Sequence, residues 1–335
     1  MVWIGLMKNN ISTGLFLGLL LLVAACGDKP SNESKTEAVI SYQQAPDFNA
    51  DSAYHYIQQQ VDFGPRVPNS EAHKAAGDWM VNKLKSFGLS VTEQTFKDKT
   101  YDGIELQLRN IIGSYKPEAS KRILLGAHWD TRRIADKDTE RLDEPIDGAN
   151  DGASGVAVLL EIARVLHTDS LQPDVGIDFI FFDGEDDGEP EHRNFRDNSQ
   201  IWWCLGSQYW STTPHVKGYS AYYGILVDMV GGKNARFYKE GYSVQFAKNI
   251  VDKVWTQAHH LGFGDFFQMR NAEPITDDHL FVNQNANIPM INIIDFSPDF
   301  GFGHYHHTHK DNMEIIDKKT LSVVGQTVLF TLFQE

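Results

Sequence analysis

Hydrophobic positions recur along this chain at two spacings, and the alternation between them predicts its elements. Residues 51–61 read as a first helix. Residues 70–87 read as an amphipathic second helix, with Ala75, Trp79, Met80, Leu84 and Phe87 near helical spacing and Gly88 as its stop. Residues 89–96 alternate as a strand does, 106–115 follow as another, and 122–127 are a third that is nearly all apolar. Residues 155–166 predict a helix with a strongly apolar face. Residues 175–182 predict a strand whose aromatic-rich run 179–182 suits a central position covered on both faces. The rest reads as helix 200–212, strand 221–227, helix 243–260, strand 289–294 and a closing helix 319–333. Strands that alternate with helices give an α/β fold: a single domain with a central mixed, mostly parallel sheet and helices on both faces. The early hairpin-like strands suggest an antiparallel edge. There is no internal repeat and no second linker.

The totals narrow the picture. In 335 residues, 41% hydrophobic and 12% aromatic content support a sizeable core. A net charge of −15 argues against a nucleic-acid partner, which calls for a basic face. At the N-terminus, Lys8 precedes an apolar run over 15–25 that ends in Val23-Ala24-Ala25-Cys26-Gly27. The run is too short to span a bilayer comfortably and has the build of a secretory signal. Its ending resembles a bacterial lipobox. The expectation is a lipoprotein signal peptide over 1–25, favoured over a plain cleaved signal or an uncleaved anchor, with Cys26 as the lipidated residue. A polar, flexible tether over 26–47 and one globular domain over 48–335 follow. The protein is then an exported lipoprotein, membrane-anchored on the periplasmic side through lipid on Cys26 alone, and expected to be a monomer. Cys204 is the one thiol left in the folded domain and reads as a core residue.

The chemistry gathers at the strand ends, where open α/β sheets place their sites. The strand at 122 ends in His128-Trp129-Asp130, the strand at 175 in Gly184-Glu185-Asp186, and the strand at 221 in Asp228. A Gly-rich loop over 147–155 opens a helix, and Gly303 to Asn312 brings His304, His306, His307 and His309. Adjacent residues on an extended chain point opposite ways, so Glu185 and Asp186 can divide two tasks, one binding a metal and the other moving a proton. Each residue also has a plainer reading. Asp151 could cap the next helix, Asp228 could sit in a turn, and His128 with Asp130 could be a satisfied pair. Asp277-Asp278-His279 could cap a helix, and the acids after Gly184 or the histidine cluster could be solvated loops. All of these would have to hold together for the site to vanish. Imidazole with carboxylate suits Zn²⁺, and with no thiolate ligands on offer a structural Cys-type zinc site is excluded. Residues 152–156 lack the final Gly of a nucleophile elbow, and there is no His-Glu-x-x-His, phosphate loop or dinucleotide fingerprint.

These motifs, with Leu205-Gly206-Ser207, Asp228-Met229-Val230-Gly231 and His307-Thr308-x-x-Asp311-Asn312, resemble the zinc aminopeptidase superfamily over roughly Tyr54 to the C-terminus. Within it they resemble the animal and bacterial glutaminyl cyclases, the glutaminyl-peptide cyclotransferases. The resemblance implies a zinc aminopeptidase-like fold. It also implies zinc-dependent cyclisation of the N-terminal glutamine of peptides or proteins to pyroglutamate, with release of ammonia. By motif, Asp151, Asp186 and His307 would hold a single Zn²⁺. His307 is chosen over its neighbours because it holds the His-Thr-x-x-Asp-Asn frame, and Asp186 stands where relatives often carry Glu. Glu185 would transfer the proton, with Asp228 and Asp278 as its hydrogen-bonding partners. Animal cyclases carry a Trp before the ligand His, where this chain has His306. They carry another soon after the paired acids, where this chain has a longer stretch before Trp202-Trp203. Both departures bear on the shape of the substrate pocket. The rival implied by the same superfamily is a two-zinc aminopeptidase, with His128 and Asp228 on a second metal, Asp151 bridging and Glu185 activating water. The Asp277-Asp278 pair and Trp202-Trp203 tilt the reading to the cyclase. A non-catalytic, lipid-anchored binding protein would be signalled by loss of Glu185 or a ligand, and neither is lost.

Overall fold

The computed structural model describes residues 41–190 and 200–335. The expected signal peptide over 1–25, Cys26 and the tether up to residue 40 lie outside the described residues, as do positions 191–199. Tyr42–Glu335 form one compact unit. It begins earlier than the expected boundary at 48. The Tyr42 ring packs on His260 and Phe330 with centroids 4.2 and 5.3 Å away, and Gln43 exchanges hydrogen bonds with Gln334. These aromatic and amide contacts outweigh the polar composition that made residues 42–47 read as tether.

Helix α1 (Ala50–Asp62) starts where Asn49 accepts a hydrogen bond from the N–H of Ser52. Helix α2 (Glu71–Ser86) starts in the same way from Ser70, and Gly88 ends it in the left-handed region at φ +76°. Then come β1 (Ser90–Lys99), β2 (Glu105–Tyr115), β3 (Arg122–His128), α3 (Ala153–Thr168), β4 (Gly176–Phe182) and α4 (Leu205–Thr212). The chain continues through β5 (Tyr223–Asp228), β6 (Phe237–Lys239), α5 (Gly241–His260), β7 (Phe267–Asn271), α6 (Asp278–Phe281), a single π-helical turn over Val282–Ala286, and β8 (Met290–Ile294). Two short strands, β9 (Phe296–Ser297) and β10 (Gly301–Phe302), precede the last helix, α7 (Lys318–Phe333).

The sheet is mixed and mostly parallel, in the order β1-β2-β4-β3-β5-β8. β4, β3, β5 and β8 run parallel, while β1 and β2 form the antiparallel edge that the hairpin-like spacing suggested. Alternation splits the central strands between two cores. Leu125, Phe179, Phe181 and Ile225 face α1, α2, α3, α5 and α7, whereas Leu124, Ile180, Phe182 and Leu226 face α4 and the π-helical turn. Both faces are covered, so β4 is buried along its whole length, and each large apolar side chain contributes about 1.5–3 kcal/mol. All four parallel strands therefore deliver their C-terminal ends to one edge.

Two differences from the sequence reading matter for that edge. Helix α4 begins at Leu205 rather than 200, because Cys204 adopts a left-handed backbone (φ 61°, ψ 35°) that a helix cannot continue through. Trp202 and Trp203 thus lie in the loop ahead of the helix. The pairs β6 with β7 and β9 with β10 went unpredicted because most of these strands are only two or three residues long. Among the described residues, no helix is long and apolar enough to cross a membrane.

Candidate active site

Glycine lets α3 approach the sheet. A Cβ on Gly155 would lie 2.2 Å from the carbonyl oxygen of Val227, so the N-terminus of α3 packs directly on the end of β5. The loop ahead of α3 is fixed from both sides. Asp311 accepts hydrogen bonds from the N–H groups of Asn150 (2.7 Å) and Asp151 (2.9 Å), and the Asn150 side chain accepts one from Gly231 (2.7 Å). Asp151 is thereby held beside both β5 and the histidine loop. The loop after β4 is pinned by another carboxylate: the fully buried Asp130 accepts from the N–H groups of Glu185 (3.0 Å) and Asp186 (3.1 Å). With both amides held on one carboxylate, the two acidic side chains can be placed independently.

The three expected ligands come together. Asp186 Oδ1 lies 3.0 Å from His307 Nε2, and Asp151 Oδ2 lies 3.9 Å from the same nitrogen. Two donors at about 2.0–2.1 Å from a tetrahedral Zn²⁺ stand roughly 3.4 Å apart, so the observed spacings bracket what the ion requires. The other Asp186 oxygen is buried with no hydrogen-bond partner, which suits a free donor. The donor chemistry and the two spacings to His307 fit zinc, while one group whose donor atoms all lie within 4.8 Å of one another is Asp151, His306 and His307. The structure also brings in His306, whose Nε2 is 3.9 Å from Asp151 Oδ2 and whose ring stacks on His307 at 3.7 Å. His309 pairs instead with Asp138 at 2.8 Å.

A second group shares Asp151. His128 Nε2 lies 3.0 Å from Asp151 Oδ1 and 3.2 Å from Asp228 Oδ1, all three buried. This is the geometry that the two-metal reading requires, and also that of a histidine satisfied by two carboxylates.

Glu185 opens onto the cavity, yet its carboxyl is enclosed. Burial pushes its pKa well above the usual carboxylate range; the His128 charge opposes this, and Asp277, Asp186 and Asp278 add to it. Asp278 lies fully buried at the N-terminus of α6, next to the capping Asp277, and burial together with the Asp277 charge raises its carboxyl strongly. The Ser207 hydroxyl nearby lowers it somewhat but donates to the Cys204 carbonyl (3.1 Å), leaving both Asp278 oxygens without a hydrogen bond. Burial raises Asp228 to about 7 against the pull of His128. Asp151 goes the other way: its burial would raise it, but the hydrogen bond and charge of His128 prevail and hold it ionised. The cluster thus separates a permanent anion suited to metal binding from carboxyls suited to carrying protons.

Asp151, Glu185, Asp186, Asp228, Asp277 and His307 line a cavity of about 560 Å³, together with the apolar Met229, Ile275, Phe296 and Phe302. Trp203 stands in the wall, its ring parallel to His307 (7°) at 5.7 Å. The loop geometry before α4 thus delivers an aromatic wall despite the longer stretch after the paired acids. Phe302 stacks on His306 at 4.1 Å, which adds a second aromatic ring beside the histidines. One supporting residue escaped the sequence reading altogether. Arg132 is fully buried; it donates to Asp136 (2.7 Å) and to the carbonyls of Asp186 (2.7 Å) and Gly188 (3.2 Å), and lies 4.7 Å over the Trp203 ring. Besides Asp136 four positions on, its partners are backbone carbonyls more than fifty positions away, which no local motif announces. Asp130 stood in a recognised motif, but its double hydrogen bond did not show there.

Comparison with known proteins agrees with this geometry. Residues 110–332 match the model of peptidase family M28. A glutaminyl cyclase from Bacteroides thetaiotaomicron, solved bound to N-acetylhistamine, is 53% identical, superposes with a TM-score of 0.84, and aligns over 87% of this chain and 100% of that one. A zinc-dependent exopeptidase from Parabacteroides distasonis gives 51% identity and a TM-score of 0.84 over the same shares. The glutaminyl-peptide cyclotransferase of Drosophila melanogaster is 25% identical over 76% of this chain and 73% of its own length.

Proposed function

The chain belongs to peptidase family M28, and from that premise we propose that it is a zinc-dependent glutaminyl cyclase, converting the N-terminal glutamine of peptides and proteins to pyroglutamate with release of ammonia. The observation that carries the reading is the placing of Glu185, a carboxyl held protonatable by burial, beside the donors Asp151, Asp186 and His307 in one cavity. The half identity and full coverage of a glutaminyl cyclase support it.

Asp151, Asp186 and His307 would hold one Zn²⁺, which when bound supplies Lewis-acid polarisation of the substrate's side-chain amide carbonyl. The acidic residues of the cavity attract the substrate's N-terminus, which reacts as the free α-amine once its ammonium has lost one proton to solvent, and the apolar side chains exclude water that would otherwise compete as nucleophile. Glu185 takes a proton from the α-amine as its nitrogen bonds to the side-chain carbonyl carbon. It then returns that proton to the departing amide nitrogen, which leaves as ammonia while the C–N bond breaks. The proton taken is the proton returned, so one residue suffices. Asp277, Asp186 and Asp278 act on Glu185 by their charge, adding to the burial that lets it accept a proton, and Asp228, raised to about 7 by its own burial, lines the same cavity. Glu185→Gln should abolish ammonia release while leaving zinc bound and the fold intact; substantial activity in that variant would remove Glu185 from the role.

The cluster of His128, Asp151 and Asp228 favours one second reading, a two-zinc aminopeptidase. The cyclase reading assigns His128 instead to holding Asp151 and Asp228 by hydrogen bonds. The sequence pattern at 15–27 supports the further proposal that the protein is an exported lipoprotein, anchored at Cys26 on the periplasmic side of a membrane.

A further inference from the structure

Glu185 belongs to another group of potential ligands besides the acids already described. Its carboxylate, the Cys204 thiol and the Asp277 carboxylate place one donor atom each within 4.8 Å of one another, all buried. The thiol already donates to Glu185 Oε1 at 3.2 Å. We propose that Glu185, Cys204 and Asp277 form a second metal site, selective for thiophilic divalent cations such as Cd²⁺, whose occupation inhibits the enzyme.

Several independent features support this. The donor set is one sulfur and two oxygens, which a soft or borderline cation prefers and which the Asp151, Asp186 and His307 set, lacking sulfur, does not offer. The sulfur is held in place by backbone hydrogen bonds, from Cys204 N–H to the Glu185 carbonyl and from Leu205 N–H to the Gly184 carbonyl, each 2.9 Å. Cys204 also takes a left-handed backbone at φ 61°, which aims it at Glu185 instead of into α4. Asp278 stands beside the group, fully buried, with both carboxylate oxygens unpartnered, and its charge acts on both Glu185 and Cys204. The His128 charge offsets these carboxylates only in part, and Asp277 also accepts from the Asp278 N–H and the Asn292 amide; burial still raises the acids, and a divalent ion would relieve them. Access is available because Glu185 and Asp277 both line the cavity. On binding, the Cys204 S–H bond breaks, the sulfur bonds to the metal, and the proton leaves to solvent. The inhibitory consequence rests on the role of Glu185 proposed above, since a metal-bound carboxylate can no longer carry the proton. The binding itself does not.

The test is titration of the full, zinc-loaded chain with Cd²⁺, following bound cadmium per chain, the ultraviolet thiolate-to-cadmium charge-transfer absorption, and ammonia release. The expected result is one cadmium per chain whose uptake tracks the absorption band and the loss of activity. Cys204→Ser retains Cys26, so it reports any contribution from that thiol. It should lose the band and need roughly tenfold or more Cd²⁺ for half inhibition of its own activity. Asp277→Asn should keep the band but shift it to higher Cd²⁺. Cadmium that merely displaces zinc from Asp151, Asp186 and His307 gives no sulfur band. Uptake and inhibition without a band in the unaltered protein would overturn the proposal, as would equal inhibition of Cys204→Ser. The band is read also in a Cys26→Ser chain, where Cys204 is the one remaining thiol, so the site is decided even where Cys204→Ser fails to fold. It is also decided where no ammonia is made, which would count against the cyclase reading alone.

Discussion

Replacing Asp130 by Asn isolates what alignment of the paired acids is worth. The Asp130 carboxylate accepts from the N–H groups of Glu185 and Asp186 at 3.0 and 3.1 Å, one on each oxygen, in a fully buried position. Asparagine keeps the shape but offers one acceptor oxygen, and its amide nitrogen would face the second N–H donor to donor. Hydrogen bonds to an ionised group contribute about 1.5–3 kcal/mol each, and a buried donor left unsatisfied costs about 1–3 kcal/mol. Losing one bond and adding that conflict, partly relieved by tilting of the loop, amounts to about 2–4 kcal/mol. The loop carries the proposed base and a proposed ligand, so the cost falls on their alignment and corresponds to a kcat lower by roughly 30- to 1,000-fold. Zinc affinity should fall as well, by about 10–100-fold, as is usual when the support of a ligand is removed. The assay is steady-state ammonia release at saturating zinc, with chelator competition for affinity and a thermal melt to show that the variant is folded. A folded Asp130→Asn protein with kcat within about threefold of the parent would refute the reasoning.

Gly155→Ala should lower the melting temperature by roughly 5–10 °C. The new methyl meets the Val227 carbonyl at 2.2 Å, and overpacking of this kind costs about 1–3 kcal/mol; a melt unchanged within a degree or two would show that α3 can retreat from β5. Glu240, which holds His279 and the Ile275 N–H behind the cavity, makes an acid-stability prediction. Burial alone would raise its carboxyl, but the His279 ring and the Ser243 hydroxyl and N–H hold it at about 2, below its ordinary 4.5. A depressed carboxyl stabilises the fold fully above the unfolded pKa and loses that contribution as pH falls through the folded one. Glu240→Gln should therefore be less stable than the parent at pH 6, by up to ~3 kcal/mol, with the gap in urea midpoint closing between about pH 4.5 and 2. A gap that persists unchanged at pH 2 would contradict it.

The sequence carried most of this architecture because its central strands are buried on both faces. A strand such as β4, apolar from Ile177 to Phe182 but for Asp178, can be read without knowing its neighbours. Of the proposed ligands, Asp186 was legible in the same way because it follows β4 and Asp151 because it precedes α3, whereas His307 was singled out by its motif frame alone. Contacts between distant loops were not legible. Asp311 holds the backbone of Asp151 and Arg132 holds the carbonyls of Asp186 and Gly188, and neither spacing leaves a periodic trace. The start of α4 was missed because Ile201, Trp202 and Trp203 have the apolar character of a helix face. The left-handed turn at Cys204, a residue with no special liking for it, is imposed by the two hydrogen bonds to the Gly184 and Glu185 carbonyls. His306 was passed over in favour of the motif histidine, although the fold stacks the two rings against each other beside Asp151.

The most direct test of the cyclase reading is zinc per chain on the purified protein, measured with two product assays on the same sample: ammonia from a peptide with N-terminal glutamine, and free amino acid from a peptide with N-terminal leucine. One zinc per chain, ammonia release and no free leucine is the predicted result. Two zincs per chain with free leucine and no ammonia would contradict it, and would make His128 and Asp228 ligands of a second metal in an aminopeptidase.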